Sequence, residues 1–129
     1  MDTGKQNKTI LIVDEHGFAR ICSAILTADG YRTDVVADMA DFSVKLAPDT
    51  VGLVVTSYPF GSVVFDLLRT KDIPSIILLD GIDERLMQML NNLQNSCCMI
   101  KPIDYGKFKH IVAQALDGKP LNGGGYSIV

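Results

Sequence analysis

A chain of 129 residues with 47% hydrophobic and 21% charged side chains has the size and composition of one globular domain, able to bury about two thirds of its unfolded surface unaided. Its 12 basic and 15 acidic residues leave a net charge of -3, which supplies no field for gathering nucleic acid and argues against such binding by this domain. The first residues, MDTGKQNKT, hold no apolar signal core, and no apolar run reaches the roughly 18 residues of a membrane span, so neither secretion nor membrane insertion is expected.

Residues 1–8 read as a flexible start. Thr9 to Val13 (TILIV) is then a continuous, β-branched apolar run that ends at Asp14-Glu15-His16-Gly17, as a strand buried on both faces does. Phe18, Ile21, Cys22, Ile25 and Leu26 recur at helical spacing, and Gly30 stands where that helix ends. Tyr31 to Val36 is a second strand. Asp38 caps a helix that turns Met39, Phe42 and Leu46 inward and stops before Pro48.

The third strand spans Val51 to Thr56, and the helix over Ser62 to Arg69 carries Val63, Val64, Leu67 and Leu68. Pro74 to Leu79 is the fourth strand, followed by a helix with Ile82, Leu86, Met89, Leu90 and Leu93 on one face. Cys97 to Ile100 is the fifth. Asp104 caps a last helix with Phe108, Ile111, Val112, Ala115 and Leu116 inward, and the stretch 118–129, with Gly123-Gly124-Gly125, reads as a flexible tail or linker stub.

Five strand-helix pairs with strands buried on both sides predict an α/β fold with a doubly wound parallel sheet, because right-handed crossovers place helices on both faces. Ligands in such folds collect at the carboxyl ends of the strands. That edge is lined by Asp14, Glu15, Thr56, Ser57, Asp80 and Lys101.

ILIVDE at the first strand end, IPSIILL for the fourth strand and Lys101-Pro102 after the fifth together resemble the receiver domain of two-component response regulators, over residues 9–117. The resemblance implies flavodoxin-like strand order and a role in signal transduction. It implies an acidic pair that holds Mg²⁺, matched by Asp14 and Glu15, and a lysine that pairs with the phosphoryl group, matched by Lys101. The family's phosphoacceptor is an aspartate at the third strand end. Here the matching position is Thr56 when counted from Leu67-Leu68-Arg69 and Val55 when counted from Pro59; neither is a carboxylate.

A threonine hydroxyl stays protonated at neutral pH and lacks an evident base, so it is a poor nucleophile toward phosphohistidine and forms no acyl phosphate. The family's switch residues, a hydroxyl on the fourth strand and an aromatic on the fifth, are replaced by Leu79 and Cys98. The chain is thus expected to be a degenerate receiver that signals by protein contact, without aspartyl phosphorylation and without turnover. A histidine kinase, another regulator or an output domain would be its partner, or a second copy through the fourth helix, fifth strand and fifth helix. The fourth helix presents Arg85, Gln88, Asn91 and Asn92 and the fifth Lys107, Lys109 and His110; such residues are otherwise a solvated face.

A rival reading keeps the switch and changes its input, placing Mg²⁺, a small ligand or a hydroxyl phosphate among Asp14, Glu15, Thr56, Asp80 and Lys101. No cofactor is required; Asp14 and Glu15 alone make a weak Mg²⁺ site, since hard cations want more oxygen ligands. An enzyme or nucleotide binder on the same scaffold is disfavoured by the lack of a P-loop or GxGxxG after the first strand. Asp80 is either a charge partner for Lys101 or an ordinary turn residue.

His16 reads as a rim or capping residue. Thr56, Ser57 and Ser62 carry hydroxyls a kinase could modify, but a buried strand end is poorly accessible. Cys22, Cys97 and Cys98 are odd in number, with no CxxC spacing or histidine cluster, so neither a disulfide framework nor a zinc site is suggested and a reducing cytoplasm fits. Adjacent on a strand, Cys97 and Cys98 should point to opposite faces and pack.

Overall fold

The computed structural model describes residues 8–36, 38–47, 49–58, 64–91, 93, 95–121 and 126–128, the last three and residue 39 by their backbone. Strands and helices alternate as β1 (Thr9–Val13), α1 (His16–Ala28), β2 (Arg32–Val35), α2 (Met39–Lys45), β3 (Val51–Tyr58), α3 (Val64–Leu68), β4 (Ser75–Leu79), α4 (Glu84–Leu90), β5 (Ser96–Ile100) and α5 (Tyr105–Leu116), followed by β6 (Tyr126–Ile128). Every strand pairs parallel to its neighbour, in the order β2-β1-β3-β4-β5-β6. No helix among the described residues is long and apolar enough to cross a membrane.

The period-two alternation of the strands divides the core into two layers. Leu11, Val13, Val54, Ile77 and Leu79 meet Phe42, Val64, Phe65, Leu86 and Leu90 from α2, α3 and α4. Ile10, Ile12, Leu53, Val55, Ile76 and Leu78 meet Ala19, Cys22, Leu26, Phe108 and Val112 from α1 and α5. Cys97 lies in the second layer and Cys98 in the first, opposite faces as the strand demands.

Carboxylates cap α2, α4 and α5. Asp38 accepts a hydrogen bond from the Asp41 amide, Asp83 from the Leu86 amide and Asp104 from the Lys107 amide, each satisfying one orphan N–H of a first turn. Gly30, with φ of +93°, follows the last residues of α1 in the left-handed conformation that side chains resist. Gly52 answers to space: a Cβ there would stand 3.1 Å from both Leu116 Cδ2 and Lys8 Cβ, so the last turn of α5 can sit close to the start of β3.

Several expectations need correction. β3 does not stop at Thr56 but runs to Tyr58, because the buried stripe continues through all eight residues. Ile21 is 52% exposed, since Ala19, Cys22 and Leu26 define the buried line of α1 and Ile21 falls on its flank. Ile82 is 48% exposed because it lies in the loop ahead of Asp83, the cap of α4. The stretch 118–129, expected as a flexible tail, contributes β6, which pairs Tyr126, Ser127 and Ile128 with Ser96, Cys97 and Cys98. Residues 1–7, Pro48, Pro59, Ser62, Val63, Asn92 and Gly123 to Gly125 lie outside the described residues, as does the side chain of Met39.

The layers make a direct prediction. Phe42→Ala and Phe108→Ala, which truncate side chains 0% and 1% exposed on opposite sides of the sheet, should each cost about 3–5 kcal/mol in urea unfolding. Val44→Ala, at a site 83% exposed, should stay within about 0.5 kcal/mol of the parent.

Candidate functional site

Alternation carries the polar residues of the strand ends to the α1–α5 side. Asp14 follows Ile12, Ser57 follows Val55, Asp80 follows Leu78 and Lys101 follows Met99, each two residues beyond a member of that core layer. Asp14 is only 6% exposed. Its Oδ1 accepts hydrogen bonds from the Ser57 hydroxyl and the Glu15 amide, both at 2.8 Å. Its Oδ2 is buried with no hydrogen-bond partner among the described residues.

Lys101 closes the other side. Its Nζ lies 3.6 Å from Asp80 Oδ1 and 5.0 Å from the centroid of the Phe18 ring, so the ammonium is shared between a carboxylate and an aromatic face. Asp80 and Lys101 therefore do come together. With the Asp80 side chain 67% exposed, however, water screens the pair and it contributes little to stability. Glu15 is exposed at the N-cap of α1 with no side-chain capping bond, and exposed His16 opens that helix.

The third strand places neither counted acceptor position beside Asp14. Val55 is fully buried in the apolar layer under α1 and α5. Thr56 is fully buried too, and its hydroxyl donates to the Val13 carbonyl at 2.7 Å. The hydroxyl that reaches the acidic group belongs to Ser57, which is 2% exposed. Counting from flanking motifs missed it because β3 is two residues longer than its β-branched run. Leu79 and Cys98 are both fully buried in the layer under α2 to α4.

Tyr58 also escaped the sequence reading. Its hydroxyl lies 3.2 Å and 3.3 Å from the two carboxylate oxygens of Asp83, linking the end of β3 to the start of α4. Burial, reinforced by the bond to Asp83, raises the phenol above its ordinary pKa. The available signal was the aromatic ring of Tyr58 just beyond Thr56 and Ser57, an apolar residue after the two hydroxyls.

An Mg²⁺ ion of the kind the resemblance implies finds a thin donor set. Asp14 Oδ2 is a buried oxygen free to face a cation, and Glu15 is adjacent in the chain. No group of three or more His, Cys, Asp or Glu side chains able to hold a metal exists among the described residues. Against the six or so oxygens that a hard cation takes, these residues do not fit a tight site.

The site borders a second surface. Ile82, Ile100 and Tyr105 are 48%, 42% and 37% exposed, around the ends of β4 and β5 and the start of α5. Arg85, Gln88, Asn91, Lys107 and His110 are exposed on α4 and α5 and just past α4. Lys109 instead turns toward α1, with its Nζ 3.5 Å from Asp29 Oδ2.

Two outcomes follow from this geometry. Ser57→Ala removes a donor from a buried carboxylate and should cost about 1–3 kcal/mol in chemical denaturation at pH 7. The cysteines set an alkaline limit. Burial pushes the Cys22 thiol, helped by the Asp14 charge, and the Cys98 thiol up to about 12, from 9.0. The native state therefore keeps these thiols protonated where the unfolded chain ionises. Their contribution is complete below pH 9 and is lost between pH 9 and 12, so urea midpoints should fall across that window, less steeply in Cys98→Ala than in the parent.

No family model matches the sequence, and no curated protein matches it. Solved structures do resemble it. A response regulator signal receiver domain from Bermanella marisrubri aligns with a TM-score of 0.71 at 20% identity, covering 86% of this chain and 99% of that one. A CheY-like response regulator receiver domain protein from Methanospirillum hungatei JF-1 gives 0.73 at 18% identity over 86% and 94%. The response regulator protein TrrA from Thermotoga maritima, solved in complex with Mg²⁺ and BeF, gives 0.67 at 21% identity over 84% and 98%. Through β5, strand order and helix alternation are those of these domains: the chain has the flavodoxin-like fold of response-regulator receivers.

Proposed function

We propose that the chain is an atypical receiver domain of two-component signal transduction, which acts in the cytoplasm through protein-protein contact, without aspartyl phosphorylation and without catalytic turnover. The observation that carries this reading is the occupant of the third strand end. Where the chemistry of a receiver needs a carboxylate nucleophile, this chain has Ser57 donating its hydroxyl to Asp14, preceded by buried Val55 and Thr56. A neutral hydroxyl spent on a hydrogen bond forms no acyl phosphate.

The remaining charges suit a static pocket. Asp80 supplies Lys101 with a negative partner, in place of a phosphoryl group that comes and goes, and Leu79 and Cys98 provide neither the hydroxyl nor the aromatic ring of the family's switch. Signalling then rests on contact. The face of α4, β5 and α5, with Ile82, Ile100 and Tyr105 exposed among polar side chains, is the surface we assign to a partner: a histidine kinase, another regulator, an output domain or a second copy.

One observation favours a second reading, in which a divalent ion is the input. Asp14 Oδ2 is buried without a partner, and a buried carboxylate oxygen in that condition gains from a cation. Asp14 and Glu15 would hold it weakly.

Amide spectra separate the two. Adding Mg²⁺ and beryllofluoride, together or singly, should leave every resonance in place under the main reading, because the acyl-phosphate mimic needs a strand-end carboxylate. Shifts with Mg²⁺ alone, centred on Asp14 and Glu15, would establish the second reading instead. A response that requires both reagents, or a hydroxylamine-sensitive adduct after incubation with acetyl phosphate, would end the first.

A further inference from the structure

Three consecutive residues close β3 with a hydroxyl each, and the three hydroxyls go to different places. Thr56 donates to the Val13 carbonyl of β1, Ser57 to Asp14 just past the end of β1, and Tyr58 to Asp83 at the cap of α4. Alternation turns Ser57 to the α1–α5 side and Tyr58 to the α2–α4 side, where its ring centroid lies 6.3 Å from that of Phe65. One peptide bond thus joins the two sides of the sheet.

These last two residues project beyond β1. Among the described residues Val13, opposite Thr56, is the last β1 partner of β3, whereas Ser57 and Tyr58 pair with Leu78 and Leu79 of β4. On the β1 side the projecting end is held by the 2.8 Å bond from Ser57 to Asp14. A side-chain bond stands there in place of a ladder.

Tyr58 fastens what lies on the other side. Asp83 Oδ1 accepts the Leu86 amide at 2.7 Å and so opens α4; the phenol hydroxyl sits 3.2 Å from that same oxygen and 3.3 Å from Oδ2. The loop ahead of the cap is otherwise lightly held. Asp80 and Ile82 are exposed, water screens the contact of Asp80 with Lys101, and a cleft of about 250 Å³ lies between Tyr58 and residues 80–83. A Cβ on Gly81 would meet nothing within 4 Å. The loop has room to move, and the Tyr58 hydroxyl sets where α4 begins.

We propose that Ser57 and Tyr58 form a lever that couples the acidic pocket to the start of α4. A contact or ligand that shifts Asp14 moves the α4 cap, and a partner docked on α4 moves Asp14, since coupling is reciprocal. The element with two states is the first turn of α4, capped while Asp83 is held and frayed when it is released. Neither the hydroxyl nor the aromatic of the family's switch is needed. The use of the lever in signalling rests on the assignment of the α4 face to a partner; the coupling itself does not.

A double-mutant cycle reads the lever from both ends. Tyr58→Phe keeps the ring and removes the hydroxyl. It should speed exchange of the Leu86 and Met87 amides, which bond to Asp83, about tenfold relative to the amides of α5. It should also shift the resonance of the Glu15 amide, which donates to Asp14 on the far side of the sheet. Ser57→Ala should speed Leu86 and Met87 at least about threefold relative to α5, yet add nothing in the Tyr58→Phe background.

An unmoved Glu15 amide in Tyr58→Phe would overturn the proposal, and so would effects of the two substitutions on Leu86 and Met87 that simply add. The Glu15 readout needs only Tyr58→Phe, so it decides whether or not Ser57→Ala folds. Failure of the receiver reading shows separately, as a beryllofluoride response in the parent, and leaves the cycle unaffected.

Discussion

Burial of the central strand on both faces is the constraint from which the rest of the molecule follows. All eight residues of β3 are enclosed, so any polar group among them must find its partner inside the protein. Thr56 finds the Val13 carbonyl and Ser57 finds Asp14. Both bonds tie β3 to the end of β1, and together they join the acidic group to the centre of the sheet. The strand-end chemistry is thus also sheet-building chemistry. A hydroxyl held in this way fastens one strand to the next.

Much of this was legible in the sequence because parallel sheets announce themselves. TILIV, SIILL and the apolar run from Val51 are nearly uniform, and only a strand covered twice tolerates that pattern. Asp38 and Asp104 were visible as helix starts, and Lys101 as a strand-end charge. What escaped was set by length and facing. β3 runs two residues past Thr56, a continuation hidden because hydroxyls look like the end of an apolar run, and Ser57 lies outside both acceptor positions that the flanking motifs give. Ile21 and Ile82 looked like core residues because hydrophobicity alone does not distinguish the flank of a helix, or the loop ahead of its cap, from its buried line.

The edge strand posed a different problem. A glycine run followed by Tyr126-Ser127-Ile128 resembles a tail in composition, and no local propensity says that three residues will find a ladder. The information lies in tertiary placement: Asn95 and Gln114 hold the returning chain beside β5. Edge strands invite unwanted pairing, and proteins commonly shield them. Here β6 pairs with Ser96, Cys97 and Cys98, so that part of the β5 edge has its ladder partner within the chain.

The neighbouring thiols of β5 sit back to back across the sheet, Cys97 beneath α5 and Cys98 beneath the opposite helices. Consecutive in the chain, they are separated in space by the full thickness of a backbone. Each is therefore a native marker of one hydrophobic compartment, and the order in which a thiol reagent gains entry to them reports which side of the molecule opens first.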